Sequence, residues 1–405
     1  MLAGTVGALG LGALREPLLA EQPKTKRKKL LLLFQSGGAS QLETWDPKPG
    51  TKYGGPFRAI PTSIPGTHIS ELLPYSAKIM HRLAVLRGLN TGITSHFHGH
   101  YALQSGHDAP GYPVLGSVIA KLLEQPGDVL PGYVSIRRDG PKAYTDVGDA
   151  GFLNPKYEAV KVENTDPPPF LQRNKYVDAN RAKKLDELRK SADARFLERR
   201  AAQPVQSYSN TFAQAAALMK QREIFDLEKE PARDRERYGK HLFGQQCLLA
   251  RRLLENGVNC VRVNHHDWDA HQENFHWHQQ RCLEFDQTFA TLVNDFHERG
   301  LLENTLVIAM GEMGRTPRIN AVAGRDHWGD AWSMTMTGCG IKQGVVHGKT
   351  SADGTEVIDG EVKLGDLFNT FLRAMDFSPR KSHRFNGQSI PIGDPAGKPV
   401  KEVLA

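Results

Sequence analysis

Three short polar clusters carry most of the chemistry this sequence could do. The first is His265-His266-Asp267-Trp268-Asp269-Ala270-His271. The second is Gly311-Glu312-Met313-Gly314-Arg315-Thr316, and the third is Gly324-Arg325-Asp326-His327-Trp328. Carboxylates mixed with imidazoles suit a divalent metal such as zinc, manganese or iron. Asp267 and His271 have the DxxxH spacing, which lets two ligands from one loop meet one ion. Asp269 could bind the same ion, or could orient His271 through its other ring nitrogen. Five of the chain's sixteen histidines fall between 265 and 278. Two of them, His276 and His278, are expected on the following helix, exposed or supporting the site from behind. Arg315 and Arg325 flank the clusters. A guanidinium fork matches an anionic oxygen pair, either on a substrate or on Glu312 and Asp326.

Such clusters need a scaffold that brings strand ends together. The run LLLLF at 30–34, followed by Gln35-Ser36-Gly37-Gly38, reads as a buried strand entering a tight turn. Further strands are expected at 83–86, 258–263, 305–310 and 333–337. One helix is expected at about 243–255, closed by Gly257. A second carries Phe285, Phe289, Leu292, Val293 and Phe296 on one face and ends at Gly300. A last one runs from Leu364 to Met375. Alternating strands and helices predict an α/β fold with a mostly parallel sheet covered on both faces. Parallel strands finish on one edge, where ligands of open α/β sheets sit. The first two clusters follow strands and converge there; the third precedes 333–337 and reaches the edge through its loop. The stretch from about 155 to 240 differs. Eight basic and four acidic residues within 181–200 predict a solvated helix, so the stretch reads as a helical insertion. Phe212, Leu218 and Phe225 are its expected packing residues.

The bulk composition agrees. With 405 residues, 39% hydrophobic and 24% charged, the chain suits a globular protein and excludes a polytopic membrane protein. The net charge of +7 and pI near 9.1 are compatible with an anionic substrate. Basic residues are interspersed with acidic ones, and no continuous Lys/Arg face points to nucleic acid. Cys247, Cys260, Cys282 and Cys339 form no CxxC pair and read as buried thiols. Residues 1–14, MLAGTVGALGLGAL, are apolar but too short to span a bilayer. They read as the h-region of an export signal lacking its basic n-region, with the true start and a twin-arginine sequence further upstream. Residues 1–29 are thus expected to be a signal remnant and basic linker, residues 30–405 a single domain, and the location periplasmic or secreted.

Five segments occur in a telling order: GGASQLETWDPKPG (37–50), ISELLP (69–74), DWDAHQENF (267–275), GEMGRTPRIN (311–320) and GRDHW (324–328). Together they resemble the DUF1501 family, over about residues 28–400. That family is placed with the alkaline phosphatase-like proteins, beside sulfatases, phosphopentomutases and cofactor-independent phosphoglycerate mutases. The resemblance implies a three-layer α/β/α sandwich with metals at the C-terminal edge of the sheet. Position by position, Asp267 and His271 match the superfamily's Asp-x-x-x-His ligand pair, and His327 matches the late histidine of the same site. Glu312 falls where the second metal's aspartate stands, and Met313 where its histidine stands. Residues 35–38 lack the usual strand-1 aspartate. The nucleophile's place is nearest His96, with Thr94 and Ser95 adjacent. His96, His98 and His100 are replacement ligands, a general acid, or ordinary loop histidines. The resemblance therefore implies metal binding by Asp267, His271 and His327, with Glu312 and Asp269 beside them. It implies His96, Ser95 and Arg315 as catalytic residues, Arg315 holding the anionic group. The implied activity is metal-dependent hydrolysis of a sulfate or phosphate ester, on a small molecule or a polysaccharide. Zinc is the first expectation, with manganese, calcium or iron as alternatives. The rival is a non-catalytic, metal-stabilised binding protein on an inherited hydrolase fold.

Overall fold

The computed structural model describes residues 27–138, 149–168, 178–199 and 213–405, apart from positions 215 and 219. The expectations for residues 1–26 and for Phe212 lie outside the described residues. The eight strands of the main sheet are, in chain order, β1 (Lys29–Gln35), β2 (Ala84–Leu89), β3 (Tyr133–Arg137), β4 (Val160–Glu163), β5 (Cys260–His265), β6 (Thr305–Met310), β7 (Trp332–Gly338) and β8 (Val345–His347). Side by side they run β8-β2-β7-β6-β1-β5-β3-β4. β1 is central and parallel to both neighbours. β7 alone runs against the rest, antiparallel to β2 and β6.

Six helices matter here: α1 (His96–Ser105), α2 (Leu115–Leu123), α3 (Ala179–Arg199), α4 (Leu242–Glu255), α5 (Asn274–Glu298) and α6 (Leu364–Ala374). In β1, Leu31 and Leu33 enter one core with residues of α4 and α5. Leu30, Leu32 and Phe34 enter the other with residues of α1, α2 and α6. A strand buried on both faces must be apolar at every position, which is why LLLLF shows no alternation. The result is an α/β/α sandwich with a mostly parallel sheet.

Three details depart from the sequence reading. β5 starts at Cys260 rather than 258, because Gly257 turns the chain at φ +105° and Val258 and Asn259 lead out of that turn. β4 lies inside the stretch read as a helical insertion, and it supplies the edge strand beside β3. Most consequential is the direction of β7. Its reversal puts its start, not its end, on the edge where the other strands finish. The third polar cluster therefore sits on that edge directly.

All four cysteines are free and buried, as their apolar contexts predicted. Leu218 and Phe225 are buried too. Among the described residues, no helix is long and apolar enough to cross a membrane.

Candidate metal centre

β1, β5 and β6 finish side by side, with Gln35 opposite His265 and Phe34 opposite Met310. The loops after β5 and β6 then close onto the turn after β1. That closure needs glycine. Gly37 has φ +111°, and a Cβ there would lie 2.4 Å from Asp269 N. Gly38 has φ +81°, and its Cβ would lie 2.8 Å from the Met313 carbonyl oxygen. Any side chain at 37 would push the Asp269 loop away.

On this floor His96, Asp269, His271 and His327 converge, with one potential ligand atom from each lying within 4.8 Å of the others. The Nε2 atoms of His271 and His327 are 3.0 Å apart. Asp269 Oδ1 lies 3.1 Å from the first and 3.3 Å from the second. The outer ring nitrogens are already engaged. His271 Nδ1 donates to Asp326 Oδ1 at 2.8 Å, and His327 Nδ1 donates to the Thr94 carbonyl at 2.7 Å. A carboxylate and a carbonyl can only accept, so each ring in its neutral, metal-binding form carries its proton on Nδ1 and presents a lone pair at Nε2. Two lone pairs and a carboxylate oxygen in mutual contact repel one another. A cation among them turns all three contacts favourable. Zinc bonds of about 2.0–2.2 Å place tetrahedral ligand atoms roughly 3.3 Å apart, close to the spacings seen. The residues present thus fit a divalent metal.

Asp326 and Thr94 fix the ligand rings from outside, as partners of metal-binding histidines do. Asp326→Ala is expected to weaken metal binding by about 10–100-fold while leaving the fold intact. A competitive chelator titration measures it, and an unchanged affinity would mean that Asp326 does not orient His271.

His96 enters from the start of α1. Its Nδ1 donates to Glu312 Oε1 at 2.7 Å, and its Nε2 faces Asp269 Oδ2 at 3.0 Å. Burial opposes its charge, but the bonds to Asp269 and Glu312 outweigh that and push its pKa up to about 9. Asp269 and Glu312 are also partly or wholly buried. Burial raises their pKa values, yet the histidines around both, and Arg315 beside Asp269, hold the two carboxyls well below the usual range. Glu312 is fully buried; its Oε1 also accepts the Gly37 N–H at 2.7 Å and lies 3.4 Å from His100 Nε2.

The other expected residues fall as follows. Of the two aspartates expected in the ligand set, Asp269 joins the histidines and Asp267 does not. Asp267 has φ +70°, and its carboxylate turns to the Arg138 guanidinium, at 2.6 and 3.2 Å. Arg315 was expected to hold an outside anion. It is fully buried, and its donors go to the carbonyls of Gly37, Gly38 and Arg325 and to Asp269 Oδ1. Ser95 caps α1 with an exposed side chain that makes no capping bond. His98 turns outward to Asp108. His276 is exposed, beside Gln280.

His278 is fully buried and supports the site from behind. Its Nδ1 donates to the Asn274 carbonyl, and its Nε2 accepts the Ser40 N–H at 2.8 Å. Burial pushes its pKa down to about 4, against the raising effect of Glu43. The folded chain therefore binds this proton later than the unfolded chain, which titrates near 6.5. The stability it contributes is complete above about pH 6.5 and is lost as pH falls toward 4. The loss expected from this group is on the order of 3 kcal/mol. Urea midpoints at pH 7 and 4.5 check this. A His278→Gln chain with the same pH slope would refute it.

Sequence reading missed the residues that bind the loops together. Gln41 brackets the Arg315 backbone, accepting its N–H at 3.0 Å and donating to its carbonyl at 2.8 Å. Glu43 and Arg325, both fully buried, form a two-pronged ion pair at 2.8 and 3.0 Å. Both pairs link the 37–50 segment to the later clusters across more than 270 positions, and no local sequence pattern marks them.

A family model described as "Protein of unknown function (DUF1501)" matches residues 27–404. No curated protein sequence matches the chain. Several solved structures share a distant likeness. The PsFucS1 sulfatase from Pseudoalteromonas sp. is 13% identical over 87% of this chain and 68% of its own, with a TM-score of 0.41. The alkaline phosphatase from the Antarctic bacterium TAB5 is 13% identical over 87% and 99%, with a TM-score of 0.41. The lipoteichoic acid synthase LtaP from Listeria monocytogenes is 8% identical over 94% and 77%, with a TM-score of 0.40.

Proposed function

Since this chain belongs to the DUF1501 family, whose model spans residues 27–404, we propose that it is a metal-dependent hydrolase of anionic esters, sulfate or phosphate, acting in the cell envelope. The observation that carries the proposal is the 3.0 Å approach of two imidazole Nε2 atoms beside Asp269 Oδ1. Asp269, His271 and His327 would hold the metal. Three protein ligands with solvent access match a catalytic site, which keeps a position open. His271 and Asp269 are nearly half exposed, so that access exists. The nitrogen-rich donor set favours zinc, with manganese or iron next, over calcium, which takes oxygen ligands. When bound, the ion supplies Lewis acidity toward an ester oxygen.

The remaining work falls to the start of α1. The Thr94 carbonyl is bonded to His327, so this helix begins against the centre. Its first-turn N–H groups and positive dipole end suit an anionic group beside the metal. His96 holds a proton between Glu312 and Asp269 and is placed to deliver it from Nε2 to a leaving alcohol. The exposed Ser95 hydroxyl stands next to it and would assist attack.

Purified protein loaded with zinc should turn over at least one member of an aryl sulfate and aryl phosphate panel. Turnover should vanish with a chelator and return with metal. Bound metal without turnover on any panel member would defeat the hydrolase proposal and leave a metal-stabilised binding protein.

A further inference from the structure

Arg315 is a permanently charged side chain with no exposure at all. A buried guanidinium has to be matched by acceptors, and here they are all oxygens. Nε donates to the Gly38 carbonyl at 3.0 Å, Nη1 to the Arg325 carbonyl at 3.2 Å, and Nη2 to the Gly37 carbonyl and to Asp269 Oδ1. Two of these carbonyls belong to the turn after β1. The set, three carbonyls and one carboxylate oxygen, is the kind a hard metal cation takes. Asp269 Oδ1 is also the oxygen that faces His271 and His327. The guanidinium and the ligand pair thus lie on one shared carboxylate.

We infer that Arg315 is a built-in cation occupying an oxygen cage that would otherwise accept a second metal ion, so that the centre holds one metal per chain. Charge supports this. Asp269, Glu312 and Asp326 contribute three negative charges, and Arg315 and the protonated His96 two positive. One divalent ion leaves that group at a net charge of one positive. A second would leave three, in a site whose floor is buried. The neighbouring side chains agree. Met313, fully buried, presents a thioether chain against Gly38, and residues 35–38 bring no carboxylate. Glu312 Oε2 is buried with no hydrogen-bond partner among the described residues.

The inference rests on the metal-centre proposal, and the test separates the two. The full chain is stripped, offered excess zinc and magnesium, desalted, and analysed for metal. Wild type is expected to retain one equivalent. Arg315→Lys keeps the charge and should also retain one. Arg315→Ala vacates the oxygen cage and leaves Asp269 short of a cation, so it should take up a second equivalent. No metal on the wild type sinks the centre itself. Two equivalents on the wild type, or one on Arg315→Ala at unchanged affinity, overturns only this inference. If circular dichroism shows that Arg315→Ala does not fold, the wild-type and Arg315→Lys counts still decide.

Discussion

His271→Ala is expected to lower metal affinity by more than about 100-fold, beyond the range typical of losing an outer hydrogen-bond partner. The side chain is nearly half exposed, so its removal costs the fold little. What it removes is one of two facing lone pairs and the link to Asp326. Metal that binds only the native state also stabilises it, by about 2.7 kcal/mol when free metal is 100 times its dissociation constant. Wild type should therefore gain denaturation stability on adding zinc, and His271→Ala should gain almost none under the same conditions. Equal zinc-induced stabilisation of the two chains would remove His271 from the ligand set. The same pair of proteins supplies the control for the ester panel, because a variant that folds but holds no metal isolates the chemistry from the scaffold.

Glu43→Ala should be the most destabilising of these changes, at about 3–5 kcal/mol, the usual result of breaking a buried pair by removing one partner. Both Glu43 and Arg325 have no exposure, and the carboxylate also accepts from Asn274 Nδ2 at 2.9 Å. Burial raises the Glu43 pKa, but the Arg325 guanidinium and His278 overcome that and hold it low. Removing the carboxylate strands a charged guanidinium in the interior. Chemical denaturation of Glu43→Ala, Arg325→Met and the double variant forms the cycle. The double variant should recover part of the loss, since no uncompensated charge remains. A single Glu43→Ala loss within about 0.5 kcal/mol, the range of ordinary surface changes, would show that the pair is not what locks these loops.

The position of that pair explains why the 37–50 segment resembles a signature although it brings no metal ligand. It is the clasp on which the ligand loops hang. Glu43 reaches the GRDHW segment, Gln41 reaches Arg315, and Ser40 reaches His278. Each contact spans more than 230 positions in sequence. None of them leaves a local pattern, because hydrophobic periodicity and turn chemistry report only on neighbours within a few residues.

Much was legible in the sequence itself. The apolar runs at 30–34 and 305–310 marked central strands, and the glycines after the first marked its turn. The alternation of strands and helices fixed the layering, and strand order along one edge then forced the loops after β5 and β6 together. His271 and His327 stood out by residue type, by their place at strand ends and by the motifs around them. Tertiary structure decided the rest. Asp269 rather than Asp267 faces the histidines, because residue 267 adopts a left-handed backbone and Arg138, from beyond β3, captures its carboxylate. The reversed β7 carries His327 to the edge directly. Arg315 turns inward because the carbonyls of Gly37 and Gly38 and the Asp269 carboxylate surround it. Spacing along a chain limits which side chains can meet, but side-chain direction depends on backbone angles and on partners hundreds of residues away.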